Sequence, residues 1–374
     1  MLSFMKSAVM FCVLSVLSLS NLRLQADPLD HWAKRDSGVA SSIACVVHQG
    51  GQFIAVGAIG STFNSDDGVN WVHTYNSGTG SFLYGITYTN GLFVAVGDNG
   101  AVQTSKDGTN WIVRPSQTAN YLSGVCSGRG TFVAVGEIGT IIFSTNGTRW
   151  SVAASGTSNA LWSVAYGAGR FAAVGQNGLL LSSTNGSVWE PEISGTTNTL
   201  SGVAFANGLF VAGGDHGTLL TSADAQTWVT RVSAAGDSDL YGVGFGNGFF
   251  VLAGEDGAIV TSREGEYWTA RPSGITSQLL AVTYGNGQFV AVGPSGTILQ
   301  SEALVGPQLA LTKSAAGVPQ LTFQGQPGSS YDLQISSDCR TWTTVTNLTQ
   351  TNASGFWQDP SPMTDHRFYR AVVQ

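Results

Sequence analysis

Two series of aromatic residues run through most of the chain at one fixed interval. A short apolar run opening on phenylalanine and closing on glycine, F-[IVA]-x-x-G, recurs at Phe53, Phe93, Phe132, Phe171, Phe210, Phe250 and Phe289, spaced 39 or 40 residues apart. Tryptophans follow the same period at Trp32, Trp71, Trp111, Trp150, Trp189, Trp228 and Trp268. A shared period of this length signals a repeat architecture, in which each unit buries its apolar surface against its neighbours.

One unit, read from Leu83, contains four short alternating or apolar runs divided by turn residues. Leu83 to Tyr88 reads as a first strand, and Asn90-Gly91 as a tight turn, since both residues accept positive φ. Phe93 to Val96 and Ala101 to Ser105 read as the second and third strands, joined through Asp98-Asn99-Gly100, and Trp111 opens the fourth. Four antiparallel strands per unit make one propeller blade. The phase of the two series predicts how the ring closes. Phe289 is followed by no tryptophan of its own, whereas Trp32 precedes the first phenylalanine. Asp30 to Arg35 is therefore expected to supply the outer strand of the last blade, beside Thr297 to Ser301. The expected fold is all-β: a seven-bladed β-propeller closed by an N-terminal strand, followed by a small C-terminal β-sandwich.

The flanks have a different grammar. Residues 1–26 carry Lys6, an apolar stretch from Ala8 to Leu19 and Leu24-Gln25-Ala26, the order of a secretory signal peptide. Residues 27–304 are assigned to the propeller, and residues 305–374 to a separate β-module with strands over Gln320 to Gln324, Ser330 to Ser336, Trp342 to Val345 and Arg367 to Val373. An exported protein, periplasmic, extracellular or on the cell surface, is expected.

Composition narrows the function classes. Charged residues are 10% of the 374, hydrophobic residues 43%, and there are 49 glycines, 18 phenylalanines and 10 tryptophans, which excludes a disordered chain. The formal charge is −7; removing Lys6 and Arg23 with the leader leaves 14 basic against 23 acidic residues, 14 − 23 = −9. That balance disfavours nucleic acid as a partner, and no later apolar run is long enough for membrane insertion. A monomer is expected. Of the three cysteines after residue 26, Cys45 and Cys126 fall inside strand patterns and read as buried free thiols rather than a disulfide framework.

The third turn reads Ser-x-Asp-Gly-x-x-Trp at Ser65 to Trp71 and at Ser105 to Trp111. This resembles the Asp-box, or BNR, motif of sialidase-like propellers and related repeats, shortened here by one residue between serine and tryptophan. Later copies place Asn146, Asn185, Asp224 and Glu264 at the acidic position, and Ala225 replaces the glycine. The resemblance covers residues 30–301 and implies a propeller; proteins of that group include glycosidases, receptor ectodomains and photosystem II assembly factors. The box residues Asp67, Trp71, Asp107, Trp111, Trp150, Trp189, Asp224, Trp228 and Trp268, with the closing-strand Trp32, are read as structural: the carboxylate or amide caps a turn and the indole anchors the blade. The C-terminal residues Gly325, Pro327, Gly328, Tyr331, Leu333, Ser336, Asp338, Trp342 and Arg367 to Arg370 resemble small β-sandwich tails of exported bacterial proteins.

Candidate chemistry is confined to one face, where second-to-third-strand turns and blade-to-blade loops are expected to meet. The turns carry Asp98, Glu137, Asp215 with His216, and Glu255 with Asp256; the loops add Asp237 and Asp239; the starts of first strands add Tyr84, Tyr121, Trp162 and Tyr241. Acids beside aromatics around a shallow pore suit a sugar, because aromatic faces stack on C–H surfaces while carboxylates bind hydroxyls. Arg35, Arg114, Arg231 and Arg271, each three residues after a box tryptophan, read as edge protection on outer strands, or as a basic rim for a partner. No catalytic constellation, metal-ligand spacing or cofactor motif is found, so no catalytic residue, metal or cofactor is assigned. The expected function is a non-enzymatic binding or scaffold protein recognising a protein or glycan. The alternatives are a glycoside hydrolase of the sialidase-like or xyloglucanase-like group, and an assembly factor resembling those of photosystem II.

Overall fold

The computed structural model describes residues 8–9, 27–75, 80–304, 308–313, 319–324, 330–337, 341–349, 354–358 and 368–373. Residues 1–7 and 10–26, Cys339, and the tail positions Gly325, Pro327, Gly328, Asp338 and Arg367 lie outside them. The chain divides into two compact units, Trp32–Glu302 and a second formed by Ala303–Gln374 with Met1–His31.

Among the described residues, Trp32–Glu302 forms seven four-stranded antiparallel sheets. Blade 2 is typical, with first strand Leu83–Thr89, second Leu92–Gly97, third Val102–Ser105 and fourth Trp111–Arg114, paired in that order. Each first strand packs beside the first strand of the next blade, and Ala281–Gly285 of blade 7 packs beside Ile43–Gln49 of blade 1, so the ring is closed. The seam is as the phase of the repeats implies: Trp32–Arg35 pairs antiparallel with Ile298–Ser301 in the register Trp32 to Ser301 through Arg35 to Ile298.

Burial explains the sequence pattern. Second strands such as Leu92–Gly97 and third strands such as Val102–Ser105 are covered on both faces by neighbouring blades, and doubly covered strands read as continuous runs of apolar and small residues. Outer strands such as Val229–Arg231 are largely exposed. Core clusters cross from blade to blade: Val133, Val135 and Ile141 of blade 3 pack with Phe171, Ala173 and Trp189 of blade 4. The expected burial of the cysteines needs correcting. Cys45 and Cys126 are free but only intermediate in exposure, because first strands line the central channel; burial still pushes both thiol pKa values up.

One irregularity in the repeats has a packing cause. The turn before each tryptophan holds a positive-φ residue, which is glycine at positions 68, 108, 147, 186 and 265 but Ala225 (φ 64) in blade 5. A Cβ on Gly108 would meet Ile54, and one on Gly186 would meet Val133, both on the second strand of the preceding blade. The corresponding residue ahead of Ala225 is Ala172, which lies in the same core cluster. The lost branch on one blade makes room for the extra methyl on the next. Ala172→Val is therefore expected to destabilise by roughly 1–3 kcal/mol through overpacking. Adding Ala225→Gly should recover most of that loss, as read from urea midpoints of the single and double variants.

The second unit contains a three-stranded sheet (Gln308–Lys313, Pro319–Gln324, Ser354–Gln358) and a sheet of Ser330–Ser336, Thr343–Thr349 and Phe368–Val373, joined at its edge by Ala8–Val9. Leu321 and Phe323 from the first sheet and Tyr331, Leu333, Tyr369 and Ala371 from the second share one core. Two of these strands, Gln308–Lys313 and Ser354–Gln358, were not foreseen from the sequence pattern.

Candidate functional site at the channel mouth

The seven first strands surround a central cavity of about 230 Å³. Each blade contributes three consecutive residues, for example Tyr84-Gly85-Ile86, Trp162-Ser163-Val164 and Tyr241-Gly242-Val243. The loop-bearing face forms at one end of this channel because of a contact repeated in every blade. Seven glycines, Gly57 through Gly293, end or directly follow the second strands, and a Cβ on any of them would run into the carbonyl of a residue just before the first strand. The turn residue after the glycine then donates its N–H to that same carbonyl: Asp98 to Phe82 O (2.9 Å), Glu137 to Tyr121 O (3.2 Å), Asp215 to Thr199 O (2.9 Å) and Glu255 to Asp239 O (2.8 Å). Acidic turn residues are thereby held against the loops that lead into the aromatic first strands.

The blade-to-blade loops are fixed in turn by serine hooks. Ser116 Oγ donates to Thr118 O (3.0 Å), and Ser194 Oγ to Thr196 O (3.1 Å). Beside the first of these, Ile138, Gln117, Thr118 and residues 152–158 line an open groove of about 630 Å³.

The expected loop-face residues come together in two groups. In the first, Phe82 stacks on Tyr84 (ring centroids 4.6 Å), Tyr84 approaches Tyr121 (5.8 Å), and Tyr121 stacks near Trp162 (6.0 Å). Glu137 Oε1 accepts the Tyr121 N–H at 2.9 Å. Burial, reinforced by a hydrogen bond to Asp98 and its charge, pushes the Tyr84 phenol up to about 12. Burial and the charges of Glu137 and Asp98 raise Tyr121 as well. In the second group, Tyr241 donates to Asp239 Oδ2 (3.3 Å), and its pKa is pushed up to about 12 by burial and by Asp239, Glu255 and Asp215. Asp239 Oδ1 also accepts the His216 N–H (2.9 Å), and His216 Nδ1 pairs with Asp237 at 3.1 Å. His216 and Asp256 occupy left-handed turn positions and are exposed. The phenols remain protonated donors across the physiological range.

Some members of the face were missed. Phe82 extends the aromatic arc by one ring. Ile59 and Ile138, 62% and 63% exposed, sit at φ 57 and 53 in turn positions where other blades have Asn99 and Asn177. A β-branched residue rarely adopts that backbone, and such outliers collect at binding sites. Aligning the turns alone would have exposed both isoleucines.

Residues read as structural stay clear of the mouth. Asp107 Oδ1 accepts the N–H groups of Thr109 and Asn110 (2.9 and 2.8 Å), and Ser105 Oγ accepts that of Gly108 (2.9 Å). Asp67 and Asp224 bond their own turns in the same way, and these bonds hold all three carboxyls below the usual range. The indole N–H groups of Trp71, Trp111, Trp150, Trp189, Trp228 and Trp268 donate to the carbonyl three residues earlier, at 2.9–3.1 Å. The outer-strand arginines are tied down too: Arg35 Nε donates to Gln300 Oε1 (2.8 Å), and those of Arg114, Arg231 and Arg271 to Thr104, Thr221 and Thr261 Oγ1 (2.9 Å each). Among the described residues, no group of three or more His, Cys, Asp or Glu is placed to hold a metal ion, and no helix is long and apolar enough to cross a membrane.

No protein-family model matches the chain, and neither does any curated protein. Solved structures do match. YCF48 bound to D1 peptide aligns at TM-score 0.62 and 15% identity, covering 74% of this chain and 98% of that one. YCF48 from Cyanidioschyzon merolae aligns at 0.58 and 17%, over 72% and 98%. A catalytically inactive virginiamycin B lyase from Staphylococcus aureus with quinupristin aligns at 0.66 and 8%, over 74% and 99%. At these identities the likeness shows the propeller fold.

Proposed function

We propose that this chain is an exported, non-enzymatic propeller that holds a segment of a protein partner on its loop face. The observation that carries this reading is the arc Phe82–Tyr84–Tyr121–Trp162 at the mouth of an open channel, flanked by carboxylates and by exposed Ile59 and Ile138. Aromatic rings supply large contact area at low entropic cost, and exposed apolar knobs suit a polypeptide better than a hydroxyl-rich sugar. The YCF48 structure with its D1 peptide supports a peptide-holding role for a propeller of this shape. The repeat turns resemble Asp-boxes, but their carboxylates are consumed by capping, which fits a scaffold.

The test starts from protein recovered after export, whose mature chain is expected to begin at Asp27. Arrays of overlapping peptides and of glycans, run beside hydrolysis assays on sialosides and plant β-glucans, separate the readings. Peptide binding is expected, and Tyr84→Ala with Trp162→Ala should weaken it at least about tenfold, the equivalent of 1.4 kcal/mol. Turnover of a glycoside that Asp215→Asn or Glu255→Gln abolishes would overturn the proposal in favour of a hydrolase.

A further inference from the structure

The two faces of the propeller differ in charge. The turns and loops of the channel-mouth face contain eight carboxylates, the seven already placed there and Asp36, and no lysine or arginine. Basic side chains of the ring lie elsewhere: Lys106, Arg129, Arg149 and Arg263 in turns of the opposite face, Arg170 at the start of a second strand, and Lys34 and four bonded arginines along outer strands. Asp98 acts on both Tyr84 and Tyr121, and Glu137 on Tyr121, so these two carboxylates serve the same stretch of the aromatic arc. A second feature lies deeper. Trp162 lines the channel, and its ring lies 6.0 Å from that of Tyr121, so the aromatic arc continues inward from the mouth.

Resting on the peptide-holding role above, we infer that the bound segment presents an arginine or lysine side chain to the aromatic–carboxylate mouth. The cation is recognised twice: by ring faces, which attract a guanidinium or ammonium, and by the remaining lone pairs of the carboxylates, which accept charge-assisted bonds. A free polyamine offers the charge without apolar side chains for exposed Ile59 and Ile138, and a neutral glycan lacks the charge. A basic peptide offers both.

Fluorescence anisotropy on the mature chain tests this, with a labelled nonapeptide of alternating glycine and arginine, its citrulline counterpart, and spermidine as competitor. The arginine peptide should bind at least about tenfold more tightly than the citrulline peptide, and weaken as salt rises. Asp98→Asn with Glu137→Gln should remove most of that preference. The second change is safe for the fold, because Gln176 Oε1 already accepts the Ala160 N–H (3.0 Å) at the matching site of blade 4. Glu266→Gln, exposed on the opposite face, should change nothing. Trp162→Phe should weaken the arginine peptide, since the smaller ring offers less face to the cation. Equal affinity for the arginine and citrulline peptides, both lost in Trp162→Phe, overturns the cation while keeping the peptide-holding role. Spermidine bound as tightly as the arginine peptide overturns the peptide in favour of a polyamine. Binding of neither peptide overturns both readings.

Discussion

Removing residues 27–36 from the chain is expected to cost about 5 kcal/mol and to lower Tm by about 10–20 °C. The estimate comes from the strand that disappears. Trp32–Arg35 contributes four register pairs to Ile298–Ser301, a half-buried tryptophan, and the Arg35 bond to Gln300. Backbone bonds contribute about 1 kcal/mol each and a buried tryptophan about 2 more. Against a total stability of roughly 5–15 kcal/mol, that is a large share. The deletion also turns the fully buried Ile298 and Leu299 into an unprotected sheet edge, which promotes association. Gln300 feels the loss across the seam, since its Nε2 donates to Asp67 O (2.8 Å) in blade 1. Thermal scans and light scattering of the two forms check this. A truncated chain with an unchanged midpoint would show that the ring does not depend on its N-terminal strand.

The ring was legible because its repeats obey one steric rule and break it only in matched pairs. Fourteen aromatic positions at one period identify the blade, and the offset between Phe289 and Trp32 identifies the seam. What the period does not reveal is why particular glycines recur. Gly57, Gly97 and Gly254 are not turn residues with positive φ; they are extended, with φ near −172, −173 and −161. Their requirement is space for a neighbouring carbonyl, which sequence alone does not display. The mouth was legible by residue type, since the acids and aromatics could be assigned to one face by counting strands. Its grouping was not, because Tyr121 reaches both Tyr84 and Trp162 only through the curvature of the closed ring. Tail strands escaped notice because Gln308–Lys313 and Ser354–Gln358 carry no repeat to reinforce a weak alternation.

Gly97→Ala is expected to lower stability by about 3 kcal/mol and to damage the mouth at the same time. The backbone itself poses no objection, since φ −173 is open to alanine. The obstacle is packing: the added methyl would run into Phe82 O, with Phe82 C and Leu83 Cα only 2.9 Å away. A flexible side chain could swing aside, but a carbonyl locked at the start of a strand cannot. Overpacking of that kind costs up to about 3 kcal/mol. Relief requires the strand pair to separate, which breaks the Asp98 N–H bond to Phe82 O (2.9 Å) and shifts the Phe82–Tyr84 stack. Stability and peptide affinity should therefore fall together in Gly97→Ala, whereas Asp98→Asn keeps the backbone bond and should reduce affinity alone. Urea midpoints and anisotropy titrations on both variants separate the two effects. If Gly97→Ala is as stable as the parent chain, the close approach does not set the geometry of the face; if it loses stability but keeps full affinity, the mouth is not held in place by that contact.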